Sequence, residues 1–389
     1  MVHYKNTQLA FQTLSRLDLI KRNLILSSLK YKIIIQLMSF IIKFYALLSW
    51  ILKPLIKSTL YQILVGGETL IVTKKAIDNL QGKNILTILD YASEDKNDPL
   101  LCEKSKFKFL QSLDFASQNP SIPYISIKLT SLLSGTIFTK IQSHEPLSNK
   151  EQDWVLRAKA NFNEIVEYAY NKKISVLVDA EESWLQDPID LWTIETAKKY
   201  NKDFPCVYFT VQLYRKDRLD WMKNIFSEAQ KENYIPAFKI VRGAYIEKEN
   251  QRAIKYNYEC PLCPDKKSTD SLFRKGLEFC LLNCSKLFVL IGTHNEDDVY
   301  FATNYMKENI DAHDLLKRIH FSQLYGMRDT ITYQLALDNI SVSKYLPYGQ
   351  VKEVLPYLIR RAIENSSLSG QASEEAQLVK EEIKRRKKN

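Results

Sequence analysis

Eight short apolar runs between residues 84 and 349 constrain this chain more than any other feature of its 389 residues. They are NILTILDYAS (84–93), YISIKLTSL (124–132), KISVLVDAEE (173–182), PCVYFTVQLY (205–214), AFKIVRGAY (237–245), KLFVLIGTHN (286–295), RIHFSQLYGM (318–327) and VSKYLPYG (342–349). Each is rich in β-branched or aromatic residues. Helical-period segments such as 156–173 and 217–233 lie between them. Strands alternating with helices imply a parallel sheet covered by helices. Eight units match a closed (β/α)8 barrel in number and length. An open doubly wound sheet is the alternative. A barrel strand should stay apolar until its C-terminal end, where active sites lie. Lys128, Asp179, Gln212, Arg242, Thr293, His294, Gln323 and Tyr345 all fall late in their runs. The recurrence predicts a polar pocket at one face.

The charge is unevenly spread. The chain carries a net +10, of which residues 1–60 supply +8 and residues 380–389 supply +4, so the remainder sums to −2. A near-neutral body argues against a general nucleic-acid surface. Residues 33–65 are the most apolar stretch, but Lys43 interrupts the window 33–52 that would otherwise suit a spanning helix. A pair of packed helices broken near Pro54 is expected there, with a basic helix on an anionic membrane surface as the alternative. The apolar core starts late and lacks a cleavage site, which argues against secretion. The C-terminal KEEIKRRKKN reads as a solvated helix end.

G-x-G-x-x-G, the P-loop, H-E-x-x-H and G-x-S-x-G are all absent. Cys260 and Cys263 form C-x-x-C, with Cys280 and Cys284 downstream, but neither pair has a flanking histidine. Free thiols are expected rather than a metal site.

The strand ends DAEES, VRGAY, GTHNED, QLYGM and KYLPYG, followed by PYLIRRAIEN, resemble the proline dehydrogenase family, monofunctional type, over about residues 85–370. The resemblance implies a distorted (β/α)8 TIM barrel over 81–370, with a basic, apolar helical arm over 1–80 and a basic tail over 371–389. It implies FAD held without dinucleotide-fingerprint glycines. It further implies oxidation of L-proline to Δ1-pyrroline-5-carboxylate, the first step of proline catabolism to glutamate. A hydride passes from ring C5 to flavin N5, and a membrane quinone takes the electrons. A separate pyrroline-5-carboxylate dehydrogenase would act next. Localisation would be cytoplasmic and peripheral to the inner membrane (the mitochondrial one in a eukaryote), with residues 1–60 as the contact.

The same resemblance assigns roles. Arg360 and Arg361 would clamp the substrate carboxylate, because planar guanidinium forks suit bidentate binding. Glu364, one helical turn after Arg360, would orient it or reach the substrate amine. Lys128 would lie under the carboxylate with Asp179 as its partner, since an unpaired inward lysine is costly. Gln212 would touch the flavin ring edge, and Ala180 lies beside the cofactor. Lys239, Arg242, Gly243, Ala244 and Tyr245 would run along it, with glycine permitting close backbone approach. Thr293, His294 and Asn295 would bind its pyrophosphate or ribitol. Tyr345 would close over the proline ring and disfavour a hydroxylated one. The rivals are a dehydrogenase of hydroxyproline or another cyclic imino acid, and an inactive membrane-surface binding protein.

Overall fold

The computed structural model describes residues 4, 6–28, 52–310, 313–367 and 371–388, without side chains for 313, 364–367 and 371–373. All eight apolar runs form strands: β1 Leu86–Tyr91, β2 Tyr124–Ile127, β3 Ser175–Val178, β4 Val207–Gln212, β5 Ala237–Val241, β6 Phe288–Gly292, β7 Ile319–Leu324 and β8 Val342–Tyr348. Their order is sequential and the barrel is closed, so the open-sheet alternative falls. Parallel pairing is in register from β1 to β7, as in Ser126↔Leu177 and Thr210↔Lys239.

By contact density the chain divides into two compact units, Thr87–Ser322 and Met1–Leu86 with Gln323–Asn389. In the first, the helices start and stop where local chemistry dictates. Asp98 caps Leu100 N–H ahead of helix Pro99–Ser117, with Pro99 at a position that needs no donor. Ser148 and Glu151 cap each other reciprocally at the start of Asn149–Asn171. The strands are buried along almost their whole length, as expected of a sheet covered on both faces. Tyr124 meets His320 and Tyr208 edge-on at 5.1 and 5.8 Å. Such aromatic pairs add about 0.5–1.5 kcal/mol each beyond area burial.

The second unit carries β8 and the terminal helices. Gly66 and Gly67 pair with the end of β8, through Gly66 N–H to Pro347 O at 2.9 Å and Gly349 N–H to Gly67 O at 3.0 Å. Lys344 of β8 is buried against Asp329 at 2.8 Å, and Asp329 also pairs with Arg22 at 3.1 Å.

One expectation changes in part here. The basic C-terminal segment is a helix end with Lys384, Lys387 and Lys388 exposed, but it is not solvated throughout. It belongs to helix Gln371–Lys388, in which Glu382 is fully buried and accepts bonds from Thr7, Arg385 and Arg386. Arg386 also donates to the carbonyls of Phe11 and Leu14 at 2.7 and 2.6 Å. Both carbonyls lie where helix Thr7–Phe11 ends, and the guanidinium bonds them there although Phe11 O also accepts Leu14 N–H at 3.0 Å. Pro54 lies inside a helical turn at 52–57, and the helix expected before it falls outside the described residues. Residues 33–51 of the apolar stretch lie outside the described residues. Among the described residues, no helix is long and apolar enough to cross a membrane.

Candidate active site

Three strand ends converge on one carboxylate. Asp179 follows β3, and its Oδ1 lies 2.6 Å from Lys239 Nζ of β5 while its Oδ2 lies 3.2 Å from Lys128 Nζ, just past β2. Ser126 Oγ donates to Oδ1 at 2.8 Å. All three charged side chains are buried. Burial pushes the Asp179 carboxyl up, but the two ammoniums and the bonds from Lys239 and Ser126 outweigh it and hold it well below the usual range. The carboxylate therefore stays ionised and fixes both ammoniums in place. Sequence reasoning placed Lys239 along the cofactor. Its direct pairing with Asp179 depends on the β3–β4–β5 neighbourhood.

Further along the same rim, Gly243 adopts φ +144°, and a Cβ there would lie 2.4 Å from the Tyr214 ring. No side chain fits without displacing Tyr214. Arg242, one residue earlier, forks onto Asp270 and Asp298, each at 2.8 Å, and donates to Thr293 Oγ1 at 3.1 Å. Its guanidinium stacks over Phe273 at 4.4 Å. Its charge is thus already compensated within the protein. Thr293 in turn donates to Asp298 and accepts from Asn295 N–H. Asn295 is the N-cap of helix Glu296–Asn309, accepting from Asp297 and Asp298 N–H. His294 is half-buried beside them.

Gln212, the last residue of β4, gives its Nε2–H to Glu181 O at 2.8 Å and accepts Ala244 N–H at 3.3 Å. It ties the DAEES turn to the VRGAY segment. Ala180 is half-buried in that turn, and Tyr245 is the N-cap of helix Ile246–Tyr256. Glu181, which sequence reasoning passed over, is 3% exposed and takes Thr130 N–H at 3.1 Å and Thr130 Oγ1–H at 2.5 Å. Its signal was a second acid two residues after a strand-end aspartate.

The remaining candidates belong to the other unit. Tyr345 is the buried fourth residue of β8, and its carbonyl accepts Tyr325 N–H at 2.9 Å. Arg360 and Arg361 are half-buried in helix Val351–Ser367, with the Arg361 guanidinium 5.5 Å from the Tyr357 ring centre. The Glu364 side chain lies outside the described residues. Cys260 and Cys263 lie in the loop before helix Lys266–Leu282, and among the described residues no three metal-capable side chains cluster.

A closed (β/α)8 barrel with a buried lysine–aspartate–lysine cluster toward its strand ends is the architecture of a barrel enzyme that acts at its C-terminal rim. The proline dehydrogenase family model matches residues 73–374, and the chain belongs to that family. The carbapenem antibiotics biosynthesis protein CarD of Pectobacterium carotovorum is 30% identical over 85% of this chain and 85% of its own length. Proline dehydrogenase 1, mitochondrial, of Caenorhabditis elegans is 37% identical over 67% of this chain, and the human protein of that name is 36% identical over 62%. The chain spans 42% and 41% of those two relatives. Among solved structures, proline utilization A from Bdellovibrio bacteriovorus has the same fold, with a TM-score of 0.71, 17% identity, and coverage of 82% of this chain and 34% of that one.

Proposed function

We propose that this chain oxidises L-proline to Δ1-pyrroline-5-carboxylate with FAD as the immediate acceptor. The observation that carries the reading is the buried Lys128–Asp179–Lys239 cluster in a chain of this family. Removing a hydride from ring C5 and a proton from the ring nitrogen leaves the C=N bond of the product. FAD, when bound, supplies the two-electron acceptor.

At Gly243 the bare backbone is covered by the Tyr214 ring, so the glycine shapes the rim through that packing, and the buried ammoniums suit an anionic cofactor and a carboxylate substrate. Lys239 and Ala244 N–H are the groups we assign nearest the cofactor, with Arg242, Thr293, His294 and Asn295 completing its wall. Arg242 acts there as a rigid wall because its charge is already matched by Asp270 and Asp298. Lys128, held in orientation with Lys239 by Asp179, is assigned to a substrate anion, and Arg360 and Arg361 are assigned to carboxylate recognition on the family resemblance. Tyr345 is assigned to the face of the proline ring. Each of these groups binds or orients. None has to change its protonation state during turnover.

Onward transfer of electrons to a membrane quinone, with residues 1–60 touching an anionic surface, is supported by the +8 charge of that segment. We likewise take 81–370 as the catalytic barrel with an arm before it, and a separate pyrroline-5-carboxylate dehydrogenase as the next enzyme. The test is an anaerobic titration of the yellow protein. Flavin absorbance should bleach with L-proline and respond far less to trans-4-hydroxyproline. A protein purified without flavin, or one that proline does not bleach, defeats the proposal.

A further inference from the structure

We propose that Glu181 is a positioning residue for this reaction, joining the turn that carries Lys128 to the segment assigned to the cofactor. The inference rests on the reading above. Four separate bonds converge on this one residue. Its carboxyl grips Thr130 through both the main-chain N–H and the hydroxyl, at 3.1 and 2.5 Å, two residues beyond Lys128. Its carbonyl holds Gln212 at 2.8 Å, and Gln212 in turn holds Ala244 N–H at 3.3 Å. Its own N–H is fixed by Gln186 Oε1 at 2.6 Å. Thr130 passes the restraint on. Its hydroxyl accepts Asp95 N–H at 3.2 Å and its carbonyl accepts Lys96 N–H at 2.9 Å, so the loop after β1 is held as well. One buried carboxyl therefore sets the turn after β2, and its main chain sets the rim after β4 and β5.

A carboxyl in this position also carries a proton at neutral pH. Burial and the adjacent Glu182 carboxylate push Glu181 up to about 8, against the Thr130 donors and Lys128. The charged groups around it are Glu182, which pairs with Lys248; Lys128, which pairs with Asp179; Asp190 behind Gln186, which pairs with Arg218; and Asp95 across Thr130. In the acid form Glu181 can donate to the Thr130 hydroxyl. In the carboxylate form the hydroxyl must donate to it, and a new negative charge appears beside Lys128. That charge competes with an incoming substrate carboxylate for the same ammonium.

The experiment is steady-state proline oxidation by the flavin-loaded full chain from pH 6 to 10, with flavin content measured in parallel. Wild type should lose kcat/KM above about pH 8. Glu181→Gln, a neutral isostere that still accepts and donates, should keep most activity at pH 7 and lose that alkaline break. Glu181→Ala should lower kcat/KM roughly 5- to 100-fold at pH 7, the scale of leaving the buried Thr130 groups without their partner, with flavin retained. Thr130→Val, which removes a bond that favours the carboxylate, should move the break to higher pH, and Thr130→Ser should return it. An alkaline break that persists unchanged in Glu181→Gln overturns the inference, even if Glu181→Ala fails to fold. Wild type that proline does not reduce defeats the functional reading instead.

Discussion

Replacing Asp179 by Asn should destabilise the protein by about 3–5 kcal/mol, the scale of removing one partner from a buried ion pair. The geometry sets the expectation. Asp179 lies 2.6 Å from Lys239 and 3.2 Å from Lys128, and its side chain is 11% exposed. With charge centres about 3–4 Å apart and an effective dielectric near 20, each lysine gains about 4–6 kcal/mol of attraction. The substitution spares the cost of burying a carboxylate, which offsets part of that loss. It leaves two ammoniums buried without the charge that fixed them, and that part is not offset. Asparagine keeps the shape and an acceptor for Ser126, so a packing defect is excluded. The measurement is urea unfolding at pH 7 by tryptophan fluorescence on flavin-loaded protein, for wild type, Asp179→Asn, Lys239→Met and the double variant. The cycle should show a favourable coupling of about 0.5–3 kcal/mol, as for contacting charges. The sign with pH follows from the depressed carboxyl. Its contribution is fully present above the unfolded value of 3.8 and is lost as pH falls toward the much lower folded value. The penalty of Asp179→Asn should therefore shrink in strong acid. A penalty under about 1 kcal/mol at pH 7, or strict additivity in the cycle, would refute the argument.

Other expectations can be checked as directly. Arg360→Ala and Arg361→Ala should each weaken proline use by about 2–5 kcal/mol, or roughly 30- to several-thousand-fold in kcat/KM, with FAD retained; near-normal kinetics with an artificial acceptor would remove both from the substrate site. Gly243→Ala should lower the melting temperature, because the new methyl meets Tyr214 at 2.4 Å in a backbone conformation that L-residues rarely adopt; an equally stable variant would contradict the packing argument. His320 is buried on the edge of Tyr124, and burial lowers its pKa to about 3. Its neutral form thus contributes stability that is present above the unfolded value of 6.5 and is lost as pH falls from there toward 3. His320→Phe should flatten that part of the acid limb in a melting-temperature series from pH 3 to 7.

Most of the fold was legible in one dimension because hydrophobic periodicity is local. A strand buried on both faces must be apolar over its own few residues, and its polar end can be read from position alone. Lys128, Asp179 and Gln212 were found in that way, each at or one residue past the end of a strand. The terminal helix is legible only in part, for the complementary reason. KEEIKRRKKN has the composition of a solvated end, and nothing in those ten residues says that Glu382 will be buried against Thr7, 375 positions away. A charged residue is buried only when the chain brings it a partner, and partners are not local.

The sequence by itself determined the element order, the closure expected of eight units, the family and the residue types at the strand ends. The tertiary structure decided which of those residues bind one another. Asp179 is shared by two lysines because β3 and β5 are both neighbours of β4, so side chains 60 positions apart meet inside one barrel. It also decided that Arg242 would be matched by Asp270 and Asp298, and that Glu181, outwardly one more acid in a run of two, would be buried and protonated at neutral pH. Side-chain chemistry is written in the sequence. The dielectric and the counter-charge that set its strength exist only once the chain has closed around it.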